Sequence, residues 1–207
     1  SKFYSRSTYV GHPLMDEIKL KKTSLSSSGK VAFLPGSRRS EISRLMPVYR
    51  ELAKKIEATR LLVVPPFLLD KVGEIYGDVS DFEVVSNTPE ALYESDFAFV
   101  CSGTATLEAA LIGTPFVLAY KAKAIDVFIA RKFVKIKHAG LANIMFDFMG
   151  KEPLHEEFIQ EFATAENLLR AYESCDRQKF LKGCDELRAY LGHGSSKNVV
   201  KILKNME

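Results

Sequence analysis

The sequence predicts a doubly wound α/β fold, a parallel sheet with helices on both faces, and three observations predict it. Short, wholly apolar runs recur along the chain. Each is followed by a segment whose apolar residues have helical spacing, and glycine turns follow the first and fourth runs. Unbroken apolar runs suit strands buried on both faces, and intervening helices are the crossovers that parallel strands require.

In chain order, residues 21–30 (KKTSLSSSGK) form a Ser/Lys/Gly stretch that reads as loop or linker. Residues 31–34 (VAFL) are the first strand, Pro35-Gly36 turns the chain, and Ile42, Leu45, Met46, Tyr49, Leu52, Ala53 and Ile56 mark a helix over 41–58. The unit then repeats: strand 61–64 before helix 67–76, strand 82–85 before helix 89–93, strand 97–100 before helix 104–112, and strand 116–119 before helix 125–133. After Asn143 the strand pattern stops, and helices are expected over 154–172, 176–190 and 195–205. The domain reading is a connection and linker over 1–30, a Rossmann-like nucleotide-binding domain over 31–150, and C-terminal helices over 151–207. Those helices pack on the sheet or on something outside this chain.

At 207 residues the chain is long enough to bury roughly 70% of its unfolded surface. With 46% hydrophobic and 27% charged residues, it is neither disordered nor fibrous. A net charge of +3 is too mild to argue for nucleic acid, and no nucleic-acid-reading motif occurs. Cys101, Cys175 and Cys184 are odd in number without CxxC spacing, which suggests neither disulfides nor zinc and points to a reducing, cytoplasmic compartment. His12, His138, His155 and His193 are too scattered for a metal site. The longest apolar runs fall far short of the ~20 residues that span a bilayer. The start, SKFYSR, has neither methionine nor signal peptide, and reads as a chain cut from something longer.

A strand order of 3-2-1-4-5 places strands 1 and 4 side by side, with a crevice at their carboxyl ends. Both glycine turns fall there: Gly36-Ser37-Arg38-Arg39 after strand 1 and Ser102-Gly103-Thr104 after strand 4. Each glycine lets the backbone approach a ligand and precedes a helix whose free N–H groups favour an anion, so two such turns suggest a diphosphate. Either turn alone also reads as an ordinary capped strand-to-helix turn. Arg38 and Arg39 add planar donors suited to phosphate. Glu108, one helical turn beyond Thr104, is placed to face the crevice and accept from a ribose diol. Walker, GxGxxG and GxSxG motifs are absent, which argues against a P-loop nucleotidase, a dinucleotide-dependent dehydrogenase and a serine hydrolase. Residues 122–138 are basic and amphipathic, fitting either an anionic membrane surface or a core-packed helix with a lysine-rich outer face. The helix carrying Lys197, Lys201 and Lys204 reads as a solvated face.

Taken together, VGHPLMD (10–16), LPGSRRSEI (34–42), SGTATLEA (102–109) and Tyr120-Lys121 resemble the lipid-A-disaccharide synthase family of B-type glycosyltransferases, from Tyr9 to about Gln160. The resemblance implies inverting transfer from UDP-2,3-diacylglucosamine to 2,3-diacylglucosamine 1-phosphate (lipid X), giving the β-1′,6-linked disaccharide and UDP. It implies work at the cytoplasmic face of the bacterial inner membrane as a peripheral protein, no cofactor and no metal, and it leaves a homodimer open. It identifies this chain with the C-terminal, donor-nucleotide half; the acceptor site and the general base are expected outside it, so the fragment alone is expected to be inactive. Carried over by position, Gly36, Ser37, Arg38 and Arg39 resemble the first glycine loop, Ser102, Gly103 and Thr104 the diphosphate loop, and Glu108 the helical glutamate. Tyr120, Lys121, Asn143, Glu157 and Gln160 complete the implied donor site. Ala142 and Glu156 stand where the family usually has proline. An epimerase-like enzyme acting on UDP-N-acetylglucosamine and a non-catalytic nucleotide-binding module are the competing readings.

Overall fold

The computed structural model describes residues 7–25, 27–121 and 137–205. Six strands, β1 (Lys30–Leu34), β2 (Thr59–Val63), β3 (Glu83–Val85), β4 (Phe97–Cys101), β5 (Phe116–Tyr120) and β6 (Glu157–Ile159), form one sheet. Its order is β3-β2-β1-β4-β5-β6 with every pair parallel. The expected order of the first five strands is observed. The helices among the described residues are α1 (Pro13–Glu17), α2 (Arg39–Ala53), α3 (Val72–Tyr76), α4 (Thr88–Glu94), α5 (Thr104–Ile112), α6 (Leu141–Phe148), α7 (Ala165–Ser174), α8 (Arg177–Leu191) and α9 (Ser195–Lys204), with 3-10 turns at Pro66–Lys71 and Gln160–Phe162.

The pleat sends alternate strand residues to two cores. Phe33, Phe99, Cys101, Val117, Ala119 and Phe158 pack with α2, α3 and α7 on one face; Ala32, Leu34, Val100 and Phe116 pack with α4, α5, α6 and α8 on the other. Phe33 anchors the first core, edge-on to Tyr49 at 5.4 Å and to Phe82 at 5.2 Å between ring centroids.

The sheet departs from the sequence reading after residue 150. A helix over 154–172 was expected; instead β6 pairs along the edge of β5, with Leu118 N–H donating to the Glu156 carbonyl at 3.0 Å, and the helix begins only where Thr164 caps it. Capping the open edge of β5 satisfies backbone groups that a helix there would leave unpaired. α6 was not expected either. α2 stops at Ala53 rather than 58, because Arg60 takes the carbonyls of Ala53 and Ile56. The helix expected over 67–76 divides into the 3-10 turn Pro66–Lys71 and α3. Within residues 7–25 the chain is tied to the domain. Met15 is buried, Asp16 accepts from the Gly194 and Ser195 amides at 2.8 Å each, and buried Lys22 donates to the Ser95 carbonyl. The expected helix 125–133 and most of the basic stretch 122–138 lie outside the described residues. Among the described residues, no helix is long and apolar enough to cross a membrane.

Candidate functional site: a cavity at the carboxyl ends of β1 and β4

A cavity of about 430 Å³ opens where the crevice was expected. Gly36, Ser37, Arg38, Ser102, Gly103, Thr104 and Glu108 all line it, joined by Glu41, Val63, Pro65, Thr88 and Cys101. Its floor is tight. Gly36 has φ +99°, a backbone conformation that favours glycine, and a Cβ there would lie 2.7 Å from Glu41 Oε2 and 3.3 Å from Cys101 Sγ, so it would push the Glu41 carboxylate aside. Burial, reinforced by the Glu41 charge, pushes the Cys101 thiol up to about 12, leaving it an inert wall rather than a nucleophile. The Arg38 guanidinium pairs with Glu41 at 2.8 Å; the Glu41 side chain is buried and the Arg38 side chain 76% exposed, so the charge is held at the cavity mouth.

Among the described residues six helices have eight or more residues, and in four of them a side chain accepts from a backbone amide of the cap or first turn. Thr106 accepts from Leu141 in α6, Thr164 and Asp176 cap α7 and α8, and Asp16 accepts at the start of α9. The two in which no side chain accepts from these amides are α2 and α5, the pair that open onto the cavity. Uncapped first-turn amides together with the helix dipole favour an anion. Glu108 makes no hydrogen bond or ion pair with another described residue. Its carboxyl is held above the usual carboxylate range, first by burial and then by nearby Glu17.

Other residues expected at the site stand on the same carboxyl rim but outside the cavity lining. Arg39 turns away to pair with Glu74 at 2.8 Å. Tyr120 ends β5 and Lys121 follows it. Gln160 follows β6 with φ +58°, the one positive φ outside glycine among the described residues. Asn143 and Glu157 form a separate network. Asn143 is fully buried: its Oδ1 accepts from Leu154 and His155 amides at 2.8 and 3.2 Å, and its Nδ2 donates to the His155 carbonyl at 2.9 Å and to Glu157 Oε1 at 2.8 Å. Glu41, Cys101, Val63, Pro65 and Thr88 were not among the expected site residues; for Glu41 the i,i+3 spacing from Arg38 was a usable signal.

A second cavity, about 490 Å³, lies at the amino ends of β4 and β5 and is lined by Phe97, Phe116, Phe146, His155 and Phe180 among others. Ligands of open α/β sheets bind at the carboxyl ends of the strands, which favours the first cavity.

The sequence pattern of the family described as Lipid-A-disaccharide synthetase matches residues 1–196. The chain belongs to this family. The lipid-A-disaccharide synthase of Campylobacter jejuni (strain RM1221) is 54% identical over the whole chain, and that of Helicobacter acinonychis is 45% identical over 96% of it. The chain spans 59% of the length of each of these relatives. Among solved structures, MurG of Acinetobacter baumannii matches 85% of this chain and 52% of its own with a TM-score of 0.52 at 15% identity, a likeness of fold. Membership of the lipid-A-disaccharide synthetase family favours the synthase reading over the epimerase-like one.

Proposed function

We propose that this chain is the donor-nucleotide half of an inverting glycosyltransferase that moves 2,3-diacylglucosamine from UDP to lipid X and releases UDP. The observation that carries the reading is the pair of uncapped helix N-termini, α2 and α5, facing one cavity with Arg38 at its mouth. Cleavage of the anomeric bond leaves charge on the β-phosphate. Fixed amides and a guanidinium aimed there stabilise that charge more in the transition state than in the ground state. Ser37 and Arg38 serve from the first loop and Ser102, Gly103 and Thr104 from the second; Glu108 accepts from the ribose hydroxyls. Tyr120, Lys121 and Gln160 on the neighbouring rim complete the nucleotide contacts. The family match over residues 1–196 supports the acylated sugar as the group carried. Acylated substrates would bring the enzyme to the anionic inner surface of the membrane, where the basic stretch 122–138 is the candidate contact.

Calorimetric titration of UDP, UMP and ADP into the chain tests the reading. UDP is expected to bind more tightly than either. Arg38→Ala should weaken UDP by about tenfold or more, as for loss of a charge-assisted hydrogen bond worth about 1.5–3 kcal/mol. UDP binding no tighter than UMP, or indifferent to Arg38→Ala, would contradict it.

A further inference from the structure

We propose that Glu157 is a positioning residue: from outside the cavity its carboxylate locks the turn at 138–141, and that turn holds the Ser102–Thr104 loop in place. The inference rests on the reading of the cavity as a diphosphate site. Glu157 Oε2 accepts from the Ala139 amide at 2.7 Å, and Oε1 accepts from the Gly140 amide at 3.0 Å and from Asn143 Nδ2 at 2.8 Å. Its side chain is 10% exposed, with His138 Nδ1 4.0 Å from Oε1. A carboxylate this engaged has little capacity left for a ligand hydroxyl.

The opposite side of the same turn meets the nucleotide loop. Ser102 Oγ donates to the Ala139 carbonyl at 2.8 Å, and Thr106 Oγ1, which donates to the Gly103 carbonyl at 2.8 Å, accepts from the Leu141 amide at 3.3 Å. The turn has no slack. A Cβ on Gly140 would lie 2.7 Å from the His155 ring and 3.1 Å from Glu157 Oε1. Displacing the carboxylate therefore displaces Ala139, and with it the acceptor for Ser102. β6, a strand of three residues, carries Glu157 in the register row of Leu118 and so fixes the clamp to the sheet.

The test combines Glu157→Gln, Glu157→Asp, Ser102→Ala and the double variant Glu157→Gln/Ser102→Ala. Its two readouts are amide exchange over 101–107 and 139–141, and titration with UDP and UMP. Glutamine offers only one acceptor oxygen and aspartate cannot reach both amides, so either variant should speed exchange at 139–141 and at 104–107 by tenfold or more. UDP affinity should fall about tenfold and UMP affinity less than threefold. The double variant should be no weaker than the weaker single variant, because both cut one linkage. Additive losses, or faster exchange confined to 139–141, would overturn the proposal. If one substitution at Glu157 prevents folding, the other carries the comparison. If the unaltered chain binds no UDP, the donor reading fails; the exchange readout then decides the clamp alone, coupled loosening supporting it and unchanged exchange at 104–107 overturning it.

Discussion

The two glycine loops at the cavity have the same local plan, strand, glycine and uncapped helix, yet they are braced in opposite ways. The loop after β1 is braced mainly from within: Arg38 pairs with Glu41 three residues on, and Gly36 takes a positive φ with the Glu41 carboxylate against it. The loop after β4 has open space around Gly103, with nothing within 4 Å of a Cβ, and its position comes from Ser102 and Thr106 bonding to a turn more than thirty residues away. Identical sequence logic can thus yield one loop locked by local sterics and another dependent on tertiary contacts. The first should keep its shape whenever β1 and α2 form. The second should keep its shape only while the segment beyond residue 137 is in place.

The largest expected effect breaks the sterically locked loop. Gly36→Ala combines backbone strain at a positive φ with displacement of the Glu41 carboxylate that tethers Arg38, and UDP affinity should fall about a hundredfold by calorimetry. A loss below threefold would remove the claim that this loop is locked.

Acid comes next and acts on the other brace. His155 Nδ1 lies 3.0 Å from the Glu156 carbonyl, which can only accept, so the proton sits on Nδ1 and buried Nε2 has no partner. Burial lowers its pKa from 6.5 to about 4. Because the folded-state pKa is the lower one, the unfolded chain takes up the proton first. Stability is full above pH 6.5 and falls as the pH drops toward 4. Between pH 7 and 5 this contributes a loss of about 2 kcal/mol, measurable as a lower urea midpoint that His155→Gln should make less pH-dependent. An equal pH slope in both proteins would exclude His155 as the cause.

Gly103→Ala follows, with backbone strain at φ +152° but no collision, so UDP affinity should drop about tenfold, well short of Gly36→Ala. Equal losses at the two glycines would erase the contrast between the loops. Smallest is Glu41→Gln. Arg38 is largely solvated and loses only its tether, so UDP affinity should change by about threefold, with binding kinetics in varied salt showing whether the guanidinium still contributes.

Much of this was legible in the sequence because it is written locally. Strands β1 to β5 are apolar on both sides, and the glycine turns stand immediately after β1 and β4, which gave the sheet order, the crevice and seven of the cavity's residues. β6 escaped notice because three residues at a sheet edge, with Phe158 as the buried one, leave no run to detect. α1 is five residues long and is held by contacts with α9, so nothing in its own pattern announces it. The roles of Asn143 and Glu157 depend on partners 11 to 18 residues away, a separation that carries no periodic signal. Only the family resemblance marked them as notable; the fold shows that backbone groups occupy them.

The central claim, that both loops receive one diphosphate, is tested most directly by following backbone amide resonances as UDP is added. The account predicts that the amides of Ser37, Arg39 and Ser40 shift together with those of Gly103, Thr104 and Ala105, along a single saturation curve, while residues lining the cavity at Phe116 and Phe180 stay unmoved. Shifts confined to one loop, or centred on that second cavity, would contradict it.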